Sequence, residues 1–265
     1  MAKLHHPKIV RCLTAGKQFG RHFFAMELVE GYSLREWRSR LTRLTVGDTL
    51  HILQVCARAL QYAHDKGLIH RDIKPENILI TNHGQVKIAD LGLAKGFAVE
   101  ELSMTQTGRG AGTPVYVAPE QARNARDADN RSDIHALGCT IYHLLTGELP
   151  FKGESSLEVV LHKIEGNYLP ASEMNPEVSK KVDAMIARML ASHPDDRYQN
   201  CLEILEDVER LKLANSKLSF IEEIDPLSLE QEMTDTDARL RAMGTHHAPG
   251  ETGEQSSTRF HVIFR

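Results

Sequence analysis

His70-Arg71-Asp72-Ile73-Lys74-Pro75-Glu76-Asn77-Ile78-Leu79 is followed, thirteen residues after Asn77, by Asp90-Leu91-Gly92. The first stretch puts a carboxylate, an ammonium and an amide within a few positions. The second adds another carboxylate at a strand end. Together these groups can deprotonate a hydroxyl, hold a phosphate and bind a metal, which is what phosphoryl transfer to a hydroxyl calls for. Arginine, aspartate and lysine crowded onto one turn are rarely idle, so a merely solvated turn is the poorer reading.

Outward from this stretch, the chain first gives two strands. Residues 9–15 and 22–29 are apolar and β-rich, with the turn between them at Gly16–Arg21, so a hairpin is expected. Ser33-Leu34-Arg35-Glu36 has the form of a capping box and opens a short helix. Thr45-Val46-Gly47-Asp48 opens a longer one, whose apolar face runs through Leu50, Leu53, Ala57, Leu60 and Ala63, with Gly67 as a stop. Ile78-Leu79-Ile80 and Val86-Lys87-Ile88 read as strands around an Asn82-His83-Gly84 turn. From Gly96 to Gly112 the chain is polar, glycine-bearing and without periodicity, as a loop is. Helical patterns return at about 132–145, 157–164, 178–190 and 200–213. Residues 215–243 have room for one or two short helices, and 244–265 have the composition of a disordered tail.

Bulk properties narrow the field. Of 265 residues, 26% are charged and 41% apolar, which suits a globular protein. The net charge of −4 and the lack of any lysine/arginine block give no reason to expect a nucleic-acid partner. No apolar run reaches the ~18–20 residues of a membrane span, and the start lacks a signal-peptide core, so a cytoplasmic site is expected. Cys12, Cys56, Cys139 and Cys201 are far apart and read as reduced, buried thiols. Fourteen histidines share no metal-ligand spacing. Gly108-Arg109-Gly110-Ala111-Gly112 follows no strand and opens no helix, which rules out a phosphate-cradling loop.

A strand pair followed by helices is half of a two-lobe α+β architecture. From His6-Pro7 to Arg197, about 190 residues, the landmarks resemble those of the serine/threonine protein kinases, in particular the bacterial ones, in order and spacing. The resemblance implies a protein-kinase-like α+β fold, mainly the α-helical C-terminal lobe plus a hairpin remnant of the N-lobe. Its divisions would be 1–31 (N-lobe remnant and hinge), 32–213 (C-lobe) and 214–265 (a partly disordered tail).

The same resemblance assigns roles. Asp72 would accept the acceptor hydroxyl's hydrogen bond and Lys74 would neutralise the transferring γ-phosphate of ATP. Asn77 and Asp90 would hold Mg²⁺. Met26 would be the gatekeeper, with backbone groups of Glu27 and Val29 bonding the purine edge and Leu79 also on the nucleotide site. His70 would pack the catalytic loop, and Arg71 would pair with a phosphorylated loop at Thr105 and Thr107. Leu91 stands where phenylalanine is usual, beside Gly92. Thr113 would bond Asp72, Glu120 would pair with Arg197, and Asp133 would hold the catalytic-loop backbone. His135 replaces the aromatic often found two residues after Asp133. Both departures are expected to be tolerated.

The glycine-rich loop, the strand lysine and the helix glutamate that such enzymes need would lie upstream of Met1, and Lys87 does not substitute. The hairpin alone would be a marginal ribbon with an open edge. Three readings follow: a serine/threonine protein kinase, cut at its N-terminus as given, that acts on protein Ser/Thr hydroxyls; a catalytically inactive C-lobe docking module; or a small-molecule phosphotransferase of kinase-like fold. Lys74 and the Ala118-Pro119-Glu120 close disfavour the last.

Overall fold

The computed structural model describes residues 4–18, 21–91, 114–221 and 260–264. Strands β1 (Cys12–Gln18) and β2 (Arg21–Glu27) form the antiparallel hairpin. β1 starts three residues later than its apolar run suggests. Residues 8–10 are used otherwise: Val10 N–H donates to the Ile88 carbonyl and Ile88 N–H to the Lys8 carbonyl, both at 2.8 Å. Ile9, which is buried, thereby stitches the hairpin to the sheet that carries the catalytic stretch. The pairing of β1 with β2 shifts register between Cys12 and Thr14, a bulge that bends the strand.

The β2 edge of the hairpin is not open. β6 (Phe260–Phe264) pairs antiparallel with β2, giving a sheet ordered β1-β2-β6. The expectation of a disordered 244–265 is corrected at these five residues. Composition reports how well a segment buries itself and says nothing of an unpaired strand elsewhere that offers it a ladder.

A second sheet joins β3 (Gly31–Ser33), β4 (Ile78–Thr81) and β5 (Val86–Ile88) in that order of pairing. Both capping sites form. Ser33 and Glu36 bond reciprocally at the start of α1 (Leu34–Arg40), and Thr45 accepts from Asp48 N–H at the start of α2 (Val46–His64). The five apolar positions expected on α2 are all buried. Gly67 supplies the left-handed residue (φ +68°) three positions past the helix end.

Five further helices build the lobe after the short α3 (Pro119–Arg123): α4 (Asn130–Thr146), α5 (Ser156–Glu165), α6 (Ala171–Met174), α7 (Lys180–Leu190) and α8 (Cys201–Leu211). α4 is buried nearly all round and is the hub of the core, as such a helix must be. At Gly138 it meets α7 so closely that an added Cβ would lie 2.8 Å from Met189 Cβ. α2 packs on α4 and α8, and α7 on α4.

Residues 214–221, placed at the head of the tail by composition, pack on the lobe. Asn215 and Ser219 donate to the buried Asp48 carboxylate, and Phe220 packs tilted against Trp37 with ring centroids 4.8 Å apart. Desolvation alone would raise the Asp48 pKa, but these bonds outweigh it and hold the carboxyl below its ordinary range. The described part of the lobe therefore includes residues up to Ile221. No described helix is long and apolar enough to cross a membrane.

Candidate active site

The stretch His70–Asn77 has no helix or sheet of its own before its last turn, so its backbone groups need partners from elsewhere. Asp133, in the first turn of α4 and fully buried, supplies them. Its carboxylate accepts from His70 N–H at 2.8 Å and Arg71 N–H at 2.7 Å, with His64 Nε2 at 2.8 Å. His70 then locks the other end of the turn. Its Nε2 lies 2.8 Å from the Ala89 carbonyl and must donate there, which leaves Nδ1 to accept from Asp72 N–H at 3.2 Å. One imidazole thus ties the backbone at both acidic residues: Asp72 donates its N–H to the ring, and Asp90 follows the carbonyl that the ring holds.

Among the described residues, three non-glycine residues adopt positive φ, and two of them are here: Arg71 (φ 70°) and Asp90 (φ 60°). Such conformations cost of order 1–3 kcal/mol and persist where the surroundings over-determine them. Asp133, Gln121 (Nε2 to the Arg71 carbonyl, 2.7 Å) and His70 are those surroundings.

The functional side chains converge. Lys74 Nζ contacts both Asp72 oxygens, at 2.9 and 2.8 Å, and Asn77 Nδ2 donates to Asp72 Oδ2 at 3.0 Å and to its carbonyl at 2.7 Å. The Asp72 and Lys74 side chains remain 46% and 33% exposed, open to a ligand. Asn77 is buried. Ala89 N–H donates to the Asn77 carbonyl at 2.8 Å, which sets Asp90 beside Asn77 at the end of the β4–β5 pair. An amide oxygen and a carboxylate at one rim are hard donors of the kind Mg²⁺ takes.

In that sheet Leu79 stands opposite Lys87, and Lys87 reaches Glu27 at 2.5 Å. This gathers Leu79 and Glu27 on one side, with the exposed Leu28 and half-buried Val29 following. Leu91 packs against the core. Gly92, Thr105, Thr107 and Thr113 lie outside the described residues.

The platform beyond is clamped from beneath. The Arg197 side chain is fully buried and makes five hydrogen bonds: two to the Glu120 carboxylate (2.8 and 2.9 Å) and one each to the Arg131, Ala191 and Ser192 carbonyls. Every guanidinium donor is used. Burial alone would push the Glu120 pKa up, but Arg197 and Ser132 together hold it below the carboxylate range.

Two ties here were not legible in the sequence. His143 receives the Arg38 guanidinium at Nε2 and meets the Tyr116 hydroxyl at Nδ1, 2.7 Å away. Burial first, then the Arg38 charge, lower its pKa to about 4, so it is neutral. Lys163 is wholly buried and donates to the Pro114 and Val117 carbonyls. Val159 and Lys163 are four apart on the one buried face of α5, but that spacing does not distinguish a buried lysine from one at the edge of the face. His135, expected to be a tolerated variation, is buried with neither ring nitrogen paired among the described residues.

With this geometry in hand, the likenesses to known proteins are informative. Residues 1–208 match the model of the protein kinase domain. A probable serine/threonine-protein kinase PknB of Corynebacterium glutamicum is 40% identical over 217 residues, covering 79% of this chain and 33% of the relative. Serine/threonine-protein kinase PknB of Mycobacterium tuberculosis is 34% identical over 268 residues, covering 92% of this chain and 42% of the relative. The chain thus spans well under half the length of these curated relatives. Among solved structures, Rad53 residues 1–466 in complex with AMP-PNP superposes with a TM-score of 0.64 at 29% identity, over 77% of this chain and 51% of that one.

Proposed function

The chain belongs to the protein kinase family, with serine/threonine kinases of the bacterial type as its relatives, and from that membership we propose that it transfers the γ-phosphate of ATP to serine or threonine hydroxyls of proteins. The observation that carries the proposal is the Asp72–Lys74–Asn77 cluster, held on a backbone that Asp133 and His70 constrain.

Asp72 accepts the hydrogen bond of the incoming hydroxyl and takes its proton as the oxygen attacks. A base so placed contributes ~10²–10⁴-fold. Lys74, already beside Asp72, swings its ammonium onto the transferring phosphoryl and offsets the charge that builds there. Asn77 and Asp90 would hold Mg²⁺, which when bound screens the phosphate charges. Leu79 and the chain at Glu27 and Val29 would flank the purine. Glu120–Arg197 sets the acceptor platform, with Thr113 favouring Ser or Thr acceptors. Thr105 and Thr107 remain the proposed activating phosphosites, to be read through Arg71. A cytoplasmic site of action completes the reading, consistent with the free thiol at the exposed Cys12.

The test is transfer of label from γ-³²P-ATP with Mg²⁺ to a protein acceptor, followed by acid hydrolysis to identify the labelled residue. Labelled phosphoserine or phosphothreonine is expected, and Asp72→Asn should cut it by ~10²–10⁴-fold. Incorporation unaffected by Asp72→Asn would overturn the assignment of the base. Acceptor binding with no incorporation at all would favour the docking module.

A further inference from the structure

α5 touches the rest of the lobe through one face, and only Val159 and Lys163 are buried on it. A lysine at 0% exposure is costly, because its charge leaves water. Such charges usually find a carboxylate, yet among the described residues none lies within ion-pair distance of Lys163. Its bonds are to two backbone carbonyls, Pro114 at 2.9 Å and Val117 at 2.6 Å, with the Phe151 ring 5.8 Å away. A methyl-terminated side chain would fill the same space at less cost in desolvation. What it would not do is hold those carbonyls.

Pro114–Val117 lies in no helix or strand, so its carbonyls depend on such partners. The strip is half-buried, with its remaining surface in solvent. It leads directly into α3, whose Gln121 bonds the Arg71 carbonyl next to Asp72. The strip is therefore held by Lys163, tied to the catalytic turn at its end, and only half-buried.

We propose that Lys163 is the positioning residue of the acceptor site: by gripping the Pro114 and Val117 carbonyls it sets the backbone against which an acceptor polypeptide lies. It governs acceptor affinity and leaves nucleotide affinity alone. This inference rests on the kinase reading above.

The test uses the full chain. A fluorescein-labelled degenerate peptide pool centred on threonine is titrated by anisotropy, and ATP with Mg²⁺ by calorimetry. Lys163→Met keeps the volume and removes the donors. It should weaken peptide binding on the order of tenfold, as small misplacements do, leave ATP affinity unchanged and speed amide exchange at 115–118. Val159→Ala, which loosens the same helix face without touching the strip, should keep wild-type peptide affinity. Peptide binding by Lys163→Met equal to wild type overturns the proposal. So does an equal loss for peptide and ATP, or an equal loss in Val159→Ala. If Lys163→Met does not fold, wild-type exchange decides: the peptide must slow amides 115–118, and no slowing rejects the acceptor role. A wild-type chain that binds ATP but no peptide also rejects it. One that binds neither refutes the kinase reading itself.

Discussion

The catalytic turn and the acceptor strip are both irregular backbone held in place by buried charge, but with opposite signs. Asp133 is an anion that collects the N–H groups of His70 and Arg71. Lys163 is a cation that collects the carbonyls of Pro114 and Val117. Arg197 extends the second pattern to the Arg131, Ala191 and Ser192 carbonyls while pairing with Glu120. The charges proposed for chemistry behave differently: Asp72 and Lys74 are half-exposed and bond chiefly to each other. Buried charges here fix backbone, and exposed charges are left free to meet a ligand.

That contrast can be broken most sharply at the clamp. Arg197→Ala strands the Glu120 carboxylate and three carbonyls, and should cost ~3–5 kcal/mol of unfolding free energy in a urea titration. A loss below ~1 kcal/mol would mean the clamp is no more than a surface pair.

A pH titration sharpens it next. His135 is buried, stacked on Phe151 with ring centroids 6.1 Å apart. Burial first, then the charges of Lys163 and Arg197, hold its pKa well below the ordinary 6.5. The unfolded chain therefore binds a proton below about pH 6.5 that the folded chain refuses. Stability from this group is present above that pH and falls as pH drops, by up to ~1.4 kcal/mol per pH unit. His143, lowered to about 4, adds the same sign between 6.5 and about 4. His135→Phe should flatten the acid limb of the stability curve, as measured by urea midpoints from pH 7 to 5. A slope identical to wild type would show that His135 is not the group refusing the proton.

The smallest effect is expected at Lys74. Its partner Asp72 is half in water, and exposed pairs contribute ~0–1 kcal/mol. Lys74→Met should leave the urea midpoint nearly unmoved while phosphate transfer collapses. A large stability loss would place Lys74 with the buried clamps.

Local signals were legible wherever a short stretch carries its own physics. Ser33 with Glu36 and Thr45 with Asp48 form the caps that their spacing implies. The expected helix at 132–145 appears as Asn130–Thr146 and that at 200–213 as Cys201–Leu211, because 3.6-residue periodicity is set by one face. The Asp72–Lys74–Asn77 group converges because six consecutive residues span it. Long-range ties were harder to read. Lys163 looked like any lysine on an amphipathic helix, and nothing in 114–117 announces which group will hold its carbonyls. His143 joins Arg38 of α1 to Tyr116 across 105 and 27 residues of sequence.

The sequence by itself determined the family, the α+β class, the candidate catalytic groups and the main helices, since each depends on residues near one another in the chain. Only the tertiary structure decided that residues 214–221 pack on the lobe through Asp48, that Phe260–Phe264 lies along β2, and that a buried lysine holds the Pro114 and Val117 carbonyls. Each of those depends on where a distant backbone leaves a hydrogen-bonding group without a partner, and that is a property of the assembled fold.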